Sequence, residues 1–218
     1  MCGRFSKTKD ERDSEIREFI DPKKIFADLK PRYNIAPSQP IPVVRIGDDG
    51  DRELVDILWG FLPSWVKDPS NSPKPINAKG ETVADKPFFR SAFKKKRCLI
   101  LADGFYEWKK TDEGKQPYYI RMKGGDLFCF AGLWDQCEGE QSCTIITITP
   151  NSVCREVHNR MPVIISKEDY DIWLSPETDK EKAVELIKSY PAEFMEAFPV
   201  SRHVNSPKNE DLKCIERI

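Results

Sequence analysis

Histidine is almost absent from this sequence, since only His158 and His203 occur among 218 residues. Seven cysteines are present, but no two of them are spaced as C-x-x-C. Zinc sites are built from cysteines and histidines at short spacings, so we expect no metal and no other cofactor. In a reducing compartment the cysteines are free thiols. Cys98, Cys129 and Cys143 lie in apolar runs and are typical of small core residues.

Long apolar runs are also lacking. No stretch approaches the roughly 20 apolar residues of a membrane-spanning helix. No apolar segment follows a basic start, as a secretory signal would require. We therefore expect a cytoplasmic protein with no membrane association.

Neither sign of charge dominates. The 35 Lys and Arg residues oppose 36 Asp and Glu residues, which gives a formal net charge of −1. Composition thus offers no argument for nucleic-acid binding, and any such surface must be local. The one basic cluster, at 94–97, is typical of a solvated helix end.

What is present is a globular composition, with 39% hydrophobic and 11% aromatic residues. Segments rich in β-branched and aromatic residues alternate with turn signals, which predicts an antiparallel sheet or barrel. We predict an α+β fold, with a single compact domain over residues 2–218 built around antiparallel β-sheets and with peripheral helices. The predicted strands are 41–46, 52–60, 97–108, 117–122, 127–135, 142–150, 161–166 and one short strand within 198–206. The predicted helices are 11–19, 86–96, 167–173 and 178–189, and 68–75 and 75–82 are predicted loops.

The first chemical signal is the segment MCGRF at residues 1–5. A small residue after Met1 favours removal of the initiator methionine, which would leave Cys2 with a thiol of pKa about 8.5 beside an amine near 7.7–8.0. Such an amine forms an imine with an aldehyde, and the thiol then closes a five-membered thiazolidine. The same residue could instead attack an amide carbonyl with its own amine as base. A third interpretation is an incidental cysteine at a frayed terminus.

A second signal is the run ADGFYEW at 102–108. Strand alternation would place Tyr106 and Trp108 on one face and Phe105 with Glu107 on the other. A carboxylate among aromatic residues is desolvated, which raises its pKa toward the range useful for proton transfer. The alternative is an exposed glutamate on the polar face of a half-buried strand.

Two further segments carry polar side chains suited to a site. His158, in VHNRMP, is a candidate proton shuttle, although a lone histidine is often structural. Asn77 and Lys79 lie in PINAKGET, where an amide and a cation suit an anion or an oxyanion, although a polar surface turn would look the same. Arg4 suits phosphate or carboxylate recognition, or is a solvated charge. His203 is interpreted as structural or exposed.

The order of these motifs resembles one family. The succession runs from residue 1 to about 206 and closely resembles the SRAP family, the SOS-response-associated peptidases or abasic-site processing proteins. The motifs are MCGRF, RYNIAPSQ, WGFLPSW, NAKGET, RCLILADGFYEW, FAGLWD, TIITITPN, HNRMPVII and VSRHVNS.

The resemblance implies a compact β-rich, barrel-like fold and a covalent reaction with DNA. The mature N-terminal Cys2 would crosslink to the aldehyde of an abasic site as a thiazolidine. Asn77 would orient the N-terminus, Glu107 would handle the protons of imine chemistry, and His158 would assist opening of the sugar ring. The family is also credited with releasing its own initiator methionine. The resemblance therefore implies autopeptidase and lyase-like Schiff-base chemistry in DNA repair.

The expected partner is single-stranded DNA that contains abasic sites. The protein would act as a monomer and associate with the nucleoid when bound. The family usually has arginine where this chain has Lys79, so the charge is kept but a bidentate phosphate contact is lost. The residues expected on phosphates are Arg4, Lys79 and Arg160, and those expected on bases or sugar are Asn34, Pro37, Trp65 and Trp108.

Three other functions remain open from the sequence. An N-terminal-nucleophile amidohydrolase would use Cys2 on an amide, with Asn77 as oxyanion donor, although no glutamine-clamping motif is found. A non-covalent DNA-binding module would retain Met1, because a blocked amine cannot form an imine. A peptidase acting on other proteins would need a specificity pocket, of which the sequence gives no sign.

Overall fold

The structure, a computed structural model, describes residues 2–10 and 13–218, and over these residues the chain forms thirteen β-strands and five short α-helices. The strands are β1 (Phe5–Lys7), β2 (Arg32–Ile35), β3 (Pro40–Ile46), β4 (Arg52–Trp59), β5 (Asn77–Lys79), β6 (Arg97–Ala102), β7 (Gly104–Thr111), β8 (Gly114–Met122), β9 (Phe128–Cys137), β10 (Glu140–Ile148), β11 (Met161–Pro162), β12 (Ile164–Ile165) and β13 (Met195–Pro199). The helices are α1 (Ser14–Arg17), α2 (Arg90–Lys95), α3 (Ser152–Arg155), α4 (Tyr170–Leu174) and α5 (Lys180–Glu185). The α+β fold predicted from the sequence is confirmed.

The larger sheet closes on itself. Its strands follow the order β11-β10-β4-β3-β6-β9-β12, and an additional pairing of β9 with β10 closes a ring of five strands. Most pairs are antiparallel, as the short turns predict, but β10 runs parallel to both β4 and β5. The β3–β4 hairpin is a long one and pairs from Pro40 with Leu58 to Ile46 with Arg52. The ring therefore gives a barrel with its own apolar interior.

The second sheet has five strands in the order β13-β8-β7-β1-β2 and packs on the barrel through aromatic residues. The Phe5 ring in β1 lies edge-on to Trp59 of β4 and Phe130 of β9, with centroids 5.3 and 5.7 Å away. Strand β1 is also fixed by Lys7, whose buried ammonium donates to the carbonyls of Leu29 and Lys30. These contacts hold the start of the chain between the two sheets.

Several predicted elements differ from the observed ones. The predicted strand 97–108 is two strands, β6 and β7, which belong to different sheets. The chain leaves the barrel at Asp103, whose buried carboxylate accepts hydrogen bonds from the hydroxyls of Ser6 (2.6 Å) and Thr8 (2.5 Å). These hydrogen bonds at Asp103 end one strand and let the next begin at Gly104, although the residue composition predicts a single continuous strand.

The other differences concern length and short strands. The predicted strand 161–166 is the pair of two-residue strands β11 and β12, and the predicted loop 75–82 contains β5. Strands β1 and β2 were not predicted, because three or four residues carry too little periodicity. The helices are shorter than predicted; residues 11 and 12 of the predicted helix 11–19 lie outside the described residues. No helix in the described part of the chain is long and apolar enough to cross a membrane.

The C-terminal segment covers both outer strands of the five-stranded sheet. Glu210 accepts hydrogen bonds from the backbone N–H groups of Tyr33 (2.5 Å) and Asn34 (2.7 Å) in β2. At the opposite side, Val200 pairs with Arg217 directly after β13. Residues 200–218 thus pack along the same sheet that carries the start of the chain.

Candidate active site

Cys2 lies three residues before the start of β1 and is completely buried in the apolar cluster between the two sheets. Its Sγ is 4.0 Å from the carbonyl oxygen of Arg4. Burial raises the pKa of the Cys2 thiol far above its usual range, and the negative charge of Glu107 adds to the effect. At neutral pH the side chain is therefore a protonated thiol, which is a poor nucleophile until a base removes its proton.

Asn77 is brought to Cys2 by β5. This strand runs parallel to β10, with Asn77 opposite Ile145, so the loop predicted here is held in a sheet. The Asn77 Nδ2 donates to the carbonyl oxygen of Cys2 over 2.8 Å. Its Oδ1 is buried and has no hydrogen-bond partner among the described residues. The amide therefore orients the Cys2 backbone and has an acceptor left for a second donor.

Glu107 occupies the inner face of β7. Tyr106 and Trp108 belong to one apolar cluster and Phe105 to the cluster of Cys2, as strand alternation predicts. Glu107 is 4% exposed, so the alternative of an exposed glutamate is wrong. Loss of solvation raises the pKa of its carboxyl to about 7, where it can both give and take a proton.

His158 reaches the same place from the turn after α3. Asn151 caps that helix by accepting from the N–H of Cys154 over 2.9 Å, and the N–H of His158 donates to the Cys154 carbonyl at 2.9 Å. Its Nδ1 accepts a hydrogen bond from the Arg160 N–H at 3.1 Å. The same nitrogen is 3.9 Å from Glu107 Oε1. Partial burial lowers the pKa of His158, so the ring is neutral at pH 7.

Four separate parts of the chain thus meet at one point. Cys2 precedes β1, Asn77 comes from β5, Glu107 from β7 and His158 from the turn after α3. The arrangement combines a thiol, a carboxyl with a pKa near neutrality and a neutral imidazole. It can move protons to and from a group bound beside Cys2.

Arg4 lies next to this point and is held on one side only. Its Nη1 donates to Asn34 Oδ1 at 2.7 Å and to the Val204 carbonyl at 2.9 Å. The guanidinium carbon lies 5.9 Å from the Trp108 ring centroid. The Nε is buried and unpartnered within the part of the chain that the structure describes. Arg4 therefore has hydrogen-bonding capacity left for an anion.

Asn34 supports Arg4 from inside the protein. It is fully buried, and its Nδ2 donates to the carbonyls of Val204, Ser206 and Asn209 at 3.2, 2.9 and 2.7 Å. No face of this side chain is open to solvent. Asn34 thus holds Arg4 from the protein interior, and its expected contact with a base or sugar stays a prediction.

The two other cations expected on phosphates are Lys79 and Arg160, and of these two only Arg160 is held in an ion pair with another described residue. Lys79 is exposed at the end of β5. Arg160 is paired with Glu81 through two hydrogen bonds of 2.5 and 2.8 Å, and it also donates to the Thr147 carbonyl. Glu81 lies within NAKGET, two residues after Lys79, and was not among the predicted site residues, because its pairing with Arg160 joins residues 79 positions apart.

The remaining predicted residues lie at the surface. Trp65 is 56% exposed and contacts Phe88 edge-on. Trp108 is partly buried and donates its indole N–H to Asn205 Oδ1 at 2.8 Å. Pro37 is partly exposed in the turn before Ser38, whose φ of 65° lies in the left-handed region. Asn205 and Val204 were not predicted as site residues. Asn205 contacts Trp108, 97 positions away, and Val204 contacts Arg4, 200 positions away, so no local pattern indicates either contact.

Comparisons with known proteins agree on one family. The SOS response associated peptidase (SRAP) family profile matches residues 1–207. The chain is 44% identical over 224 residues to the abasic site processing protein YoqW of Bacillus subtilis (strain 168), across 99% of each sequence. It is 29% identical over 228 residues to the abasic site processing protein YedK of Escherichia coli (strain K12), across 100% of each. A crystal structure of a protein from Bacteroides thetaiotaomicron superposes with a TM-score of 0.87 at 25% identity, over 100% of both chains. The chain therefore belongs to the SOS response associated peptidase family.

Proposed function

We propose that this chain processes abasic sites in single-stranded DNA by a covalent reaction of Cys2. After removal of Met1, the amine and thiol of Cys2 would combine with the sugar aldehyde to form a thiazolidine. One observation carries the proposal: the fold brings Cys2 together with Asn77, Glu107 and His158. These four residues are spread over more than 150 positions of the sequence. The names of the relatives, abasic site processing proteins, support the choice of substrate.

The amine of Cys2 is the first nucleophile in this proposal. Its release requires hydrolysis of the Met1–Cys2 peptide bond, which we propose is autocatalytic. Asn77 holds the Cys2 carbonyl at 2.8 Å, and its unpartnered Oδ1 can accept from the freed amine. The amide would thus keep the nitrogen pointed at the site while its lone pair attacks.

Proton transfer at the sugar begins with ring opening. An abasic sugar is mostly a closed hemiacetal. The neutral imidazole of His158 can take the proton of the C1′ hydroxyl and give a proton to the ring oxygen, so the aldehyde forms as the bond from C1′ to the ring oxygen breaks. The Cys2 amine then adds to C1′ to give a carbinolamine. A protonated Glu107 donates to the departing hydroxyl of the carbinolamine, so water leaves and a protonated imine forms, whose nitrogen keeps its hydrogen.

The thiol adds last. Loss of its proton leaves Glu107 as a carboxylate, which is the base that the buried Cys2 thiol needs. Glu107 takes the thiol proton as Sγ bonds to C1′, and the nitrogen of the protonated imine takes up an electron pair to become the neutral ring amine. Glu107 is thereby returned to its protonated form. The sum is aldehyde plus amine plus thiol going to thiazolidine plus one water. A pKa of about 7 lets one carboxyl serve both proton transfers.

Cations and aromatic rings around the site fit a DNA strand. Arg4 and Lys79 would contact phosphates, and Arg160 would do so after exchanging Glu81 for a phosphate oxygen. Trp65 offers an exposed ring on which a base can stack, since stacking needs only the π face of a base.

Denaturing electrophoresis with intact mass tests the proposal. The mature protein is mixed with single-stranded DNA that carries one abasic site. We expect a heat-stable adduct with the mass of protein plus DNA minus one water. Cys2→Ala should abolish it, whereas Cys143→Ala, at another fully buried cysteine, should leave it unchanged.

The same samples separate the alternatives. Absence of an adduct from protein confirmed to lack Met1 would contradict the proposal, and release of ammonia from glutamine would then favour an amidohydrolase. Self-removal of Met1 is tested on protein purified with Met1 retained, by following the loss of one methionine mass. A Cys2→Ala chain that loses Met1 at the same rate would contradict an autocatalytic step.

A further inference from the structure

A second group of reactive side chains lies in the C-terminal segment, apart from Cys2. His203, Asp211 and Cys214 each offer one donor atom, and these three atoms all lie within 4.8 Å of one another. They come from the 3₁₀ turns 202–205 and 212–214 and the residue before the second turn. The sequence predicts no metal, because these residues show no familiar spacing; the fold creates the cluster.

The 3₁₀ turn 212–214 places the side chains of Asp211 and Cys214 on the same side of the backbone. The Cys214 N–H bonds to the Asp211 carbonyl at 3.0 Å, and a turn of three residues places these side chains on one side. Asp211 Oδ1 accepts from the Lys213 N–H at 3.0 Å, which fixes the carboxylate. Its Oδ2 is then 3.1 Å from Nε2 of His203.

We propose that His203, Asp211 and Cys214 bind one Zn²⁺ ion, with water as the fourth ligand. A nitrogen, a carboxylate oxygen and a thiolate form a donor set that suits this borderline-soft ion. Zinc bonds of about 2.0–2.3 Å in a tetrahedron hold ligand atoms about 3.3–3.6 Å apart. The Nε2–Oδ2 separation of 3.1 Å lies just below this range, and the three donor atoms, all within 4.8 Å of one another, need only small shifts.

Burial fits an ion held from one side. Cys214 is fully buried, whereas the side chains of His203 and Asp211 are 30% and 53% exposed. A metal would therefore sit between a buried sulfur and open solvent, where an ion can enter and water can complete the shell. Three protein ligands and one water leave one position of the ion open to solvent, and no step of the proposed reaction uses it.

Binding exchanges protons for the ion. The Cys214 thiol releases its proton to solvent as sulfur bonds to zinc, and the proton that Nε2 shares with Asp211 must move. With Nε2 on the metal, Nδ1 carries the ring proton. The Asn209 amide, whose Nδ2 now lies 3.1 Å from Nδ1, then presents its oxygen instead. That rotation gives up its 2.7 Å bond to the His203 carbonyl, and the Cys214 thiol gives up its contact with the Asn209 carbonyl at 3.4 Å. Metal binding must offset both of these and the hydrogen bond between His203 and Asp211.

An ion at this place would stiffen the support of Arg4. The Val204 carbonyl, next to His203, accepts from Arg4 and from Asn34, and the Asn209 carbonyl accepts from Asn34 and lies 3.4 Å from the Cys214 sulfur. A cross-link among 203, 211 and 214 would fix both carbonyls. The effect on Arg4 matters for DNA binding only if the proposed function holds, whereas the metal site itself does not rest on that function.

The test measures metal directly on the full chain. Cys2→Ser removes the other thiol that could combine with an amine to hold zinc, and serves as the background. We expect one equivalent of Zn²⁺ by elemental analysis after desalting, a rise in Tm with added Zn²⁺ that a chelator reverses, and a thiolate-to-cobalt charge-transfer band with Co²⁺.

Two variants locate the ion. Cys214→Ser should remove the cobalt band and weaken zinc binding more than about tenfold, which is the least that loss of a supporting partner costs. Asp211→Asn keeps the oxygen that caps Lys213, so it should fold normally and still weaken binding. Cys137→Ser, at a buried thiol elsewhere, should bind zinc as the background does. Less than one-tenth equivalent of zinc in the background, or undiminished binding by both variants, would overturn the site.

Discussion

Oε1 of Glu107 lies 3.9 Å from Nδ1 of His158, with the carboxyl buried and the imidazole partly open to solvent. Burial moves the two groups in opposite directions: it raises the pKa of Glu107 to about 7 and lowers that of His158 below its ordinary value. A proton shared by the pair therefore favours the carboxyl over the imidazole. Glu107 is the acid of this pair and His158 is the base, the reverse of what free side chains would give.

Glu107→Gln should change stability in a pH-dependent way. The pKa of Glu107 rises from 4.5 to about 7 on folding, so its contribution is fully present below pH 4.5 and is lost as the pH rises to about 7. Glutamine imitates the protonated form. Denaturant unfolding should therefore show equal stability at pH 4.5 or below and a variant more stable by up to about 3 kcal/mol at pH 8. If the difference in stability between the variant and the wild type is the same at both pH values, the raised pKa of buried Glu107 is contradicted.

The same substitution should impair the reaction with DNA. Without an acid to expel water and a base for the thiol, we expect crosslinking to slow by about 100-fold. Affinity for an undamaged single strand should change less than twofold, because Glu107 is buried and does not face the strand. The crosslinking rate of the wild-type protein should decline above about pH 7, because Glu107 then loses its proton. The variant should show no such decline. A loss of affinity as large as the loss of rate would indicate a binding role instead.

Glu81→Gln should strengthen DNA binding. Glu81 occupies the guanidinium of Arg160 with two hydrogen bonds, and a phosphate must displace it. Removing the negative charge should raise affinity for single-stranded DNA about three- to fivefold at low salt, with a smaller gain at high salt. Fluorescence anisotropy over a salt series measures this gain.

The matched control for that prediction is Asp85→Asn. It removes the same charge from an exposed pair with Lys180, which is not part of the proposed DNA track. A similar gain in both variants would show that only net charge matters. Unchanged affinity in Glu81→Gln would indicate that Arg160 does not meet phosphate.

Gly104→Ala should destabilise the protein by about 3 kcal/mol. A Cβ at this position would lie 2.1 Å from Cζ of Tyr119, and that ring is buried and bonded to Ser6. Gly124→Ala is the control, since its Cβ would meet only the end of the exposed Asp126 side chain. Thermal or denaturant unfolding compares the two, and an equal effect would contradict the close packing at Tyr119.

Local pattern predicted the long elements and the residues that meet beside Cys2, but not how they are joined. The hairpin β3–β4 and the alternation of Phe105, Tyr106 and Trp108 follow from period-two patterning and turn residues. The division at Asp103 does not, because Ser6 and Thr8 bind it from the far end of the sequence. Glu107 was predicted from its aromatic neighbours, whereas its closeness to His158 depends on two sheets packing together.

The same limit explains the cations and the C-terminal cluster. Arg4 was assigned to phosphate by residue type, but its support by Asn34 and Val204 depends on contacts across the whole chain. His203 was interpreted as structural or exposed, and its approach to Asp211 and Cys214 depends on two consecutive 3₁₀ turns. Residue type thus predicted possible roles, and the topology decided which partners each residue has.

The way residues 200–218 lie along the five-stranded sheet bears on self-association. A closed ring of strands offers no free edge, but β2 and β13 are outer strands whose backbone groups could pair with another molecule. Glu210 occupies the N–H groups of Tyr33 and Asn34, and Arg217 pairs with Val200 beside β13. The segment that supports Arg4 therefore also occupies part of each outer edge and leaves fewer backbone groups there for pairing with another molecule.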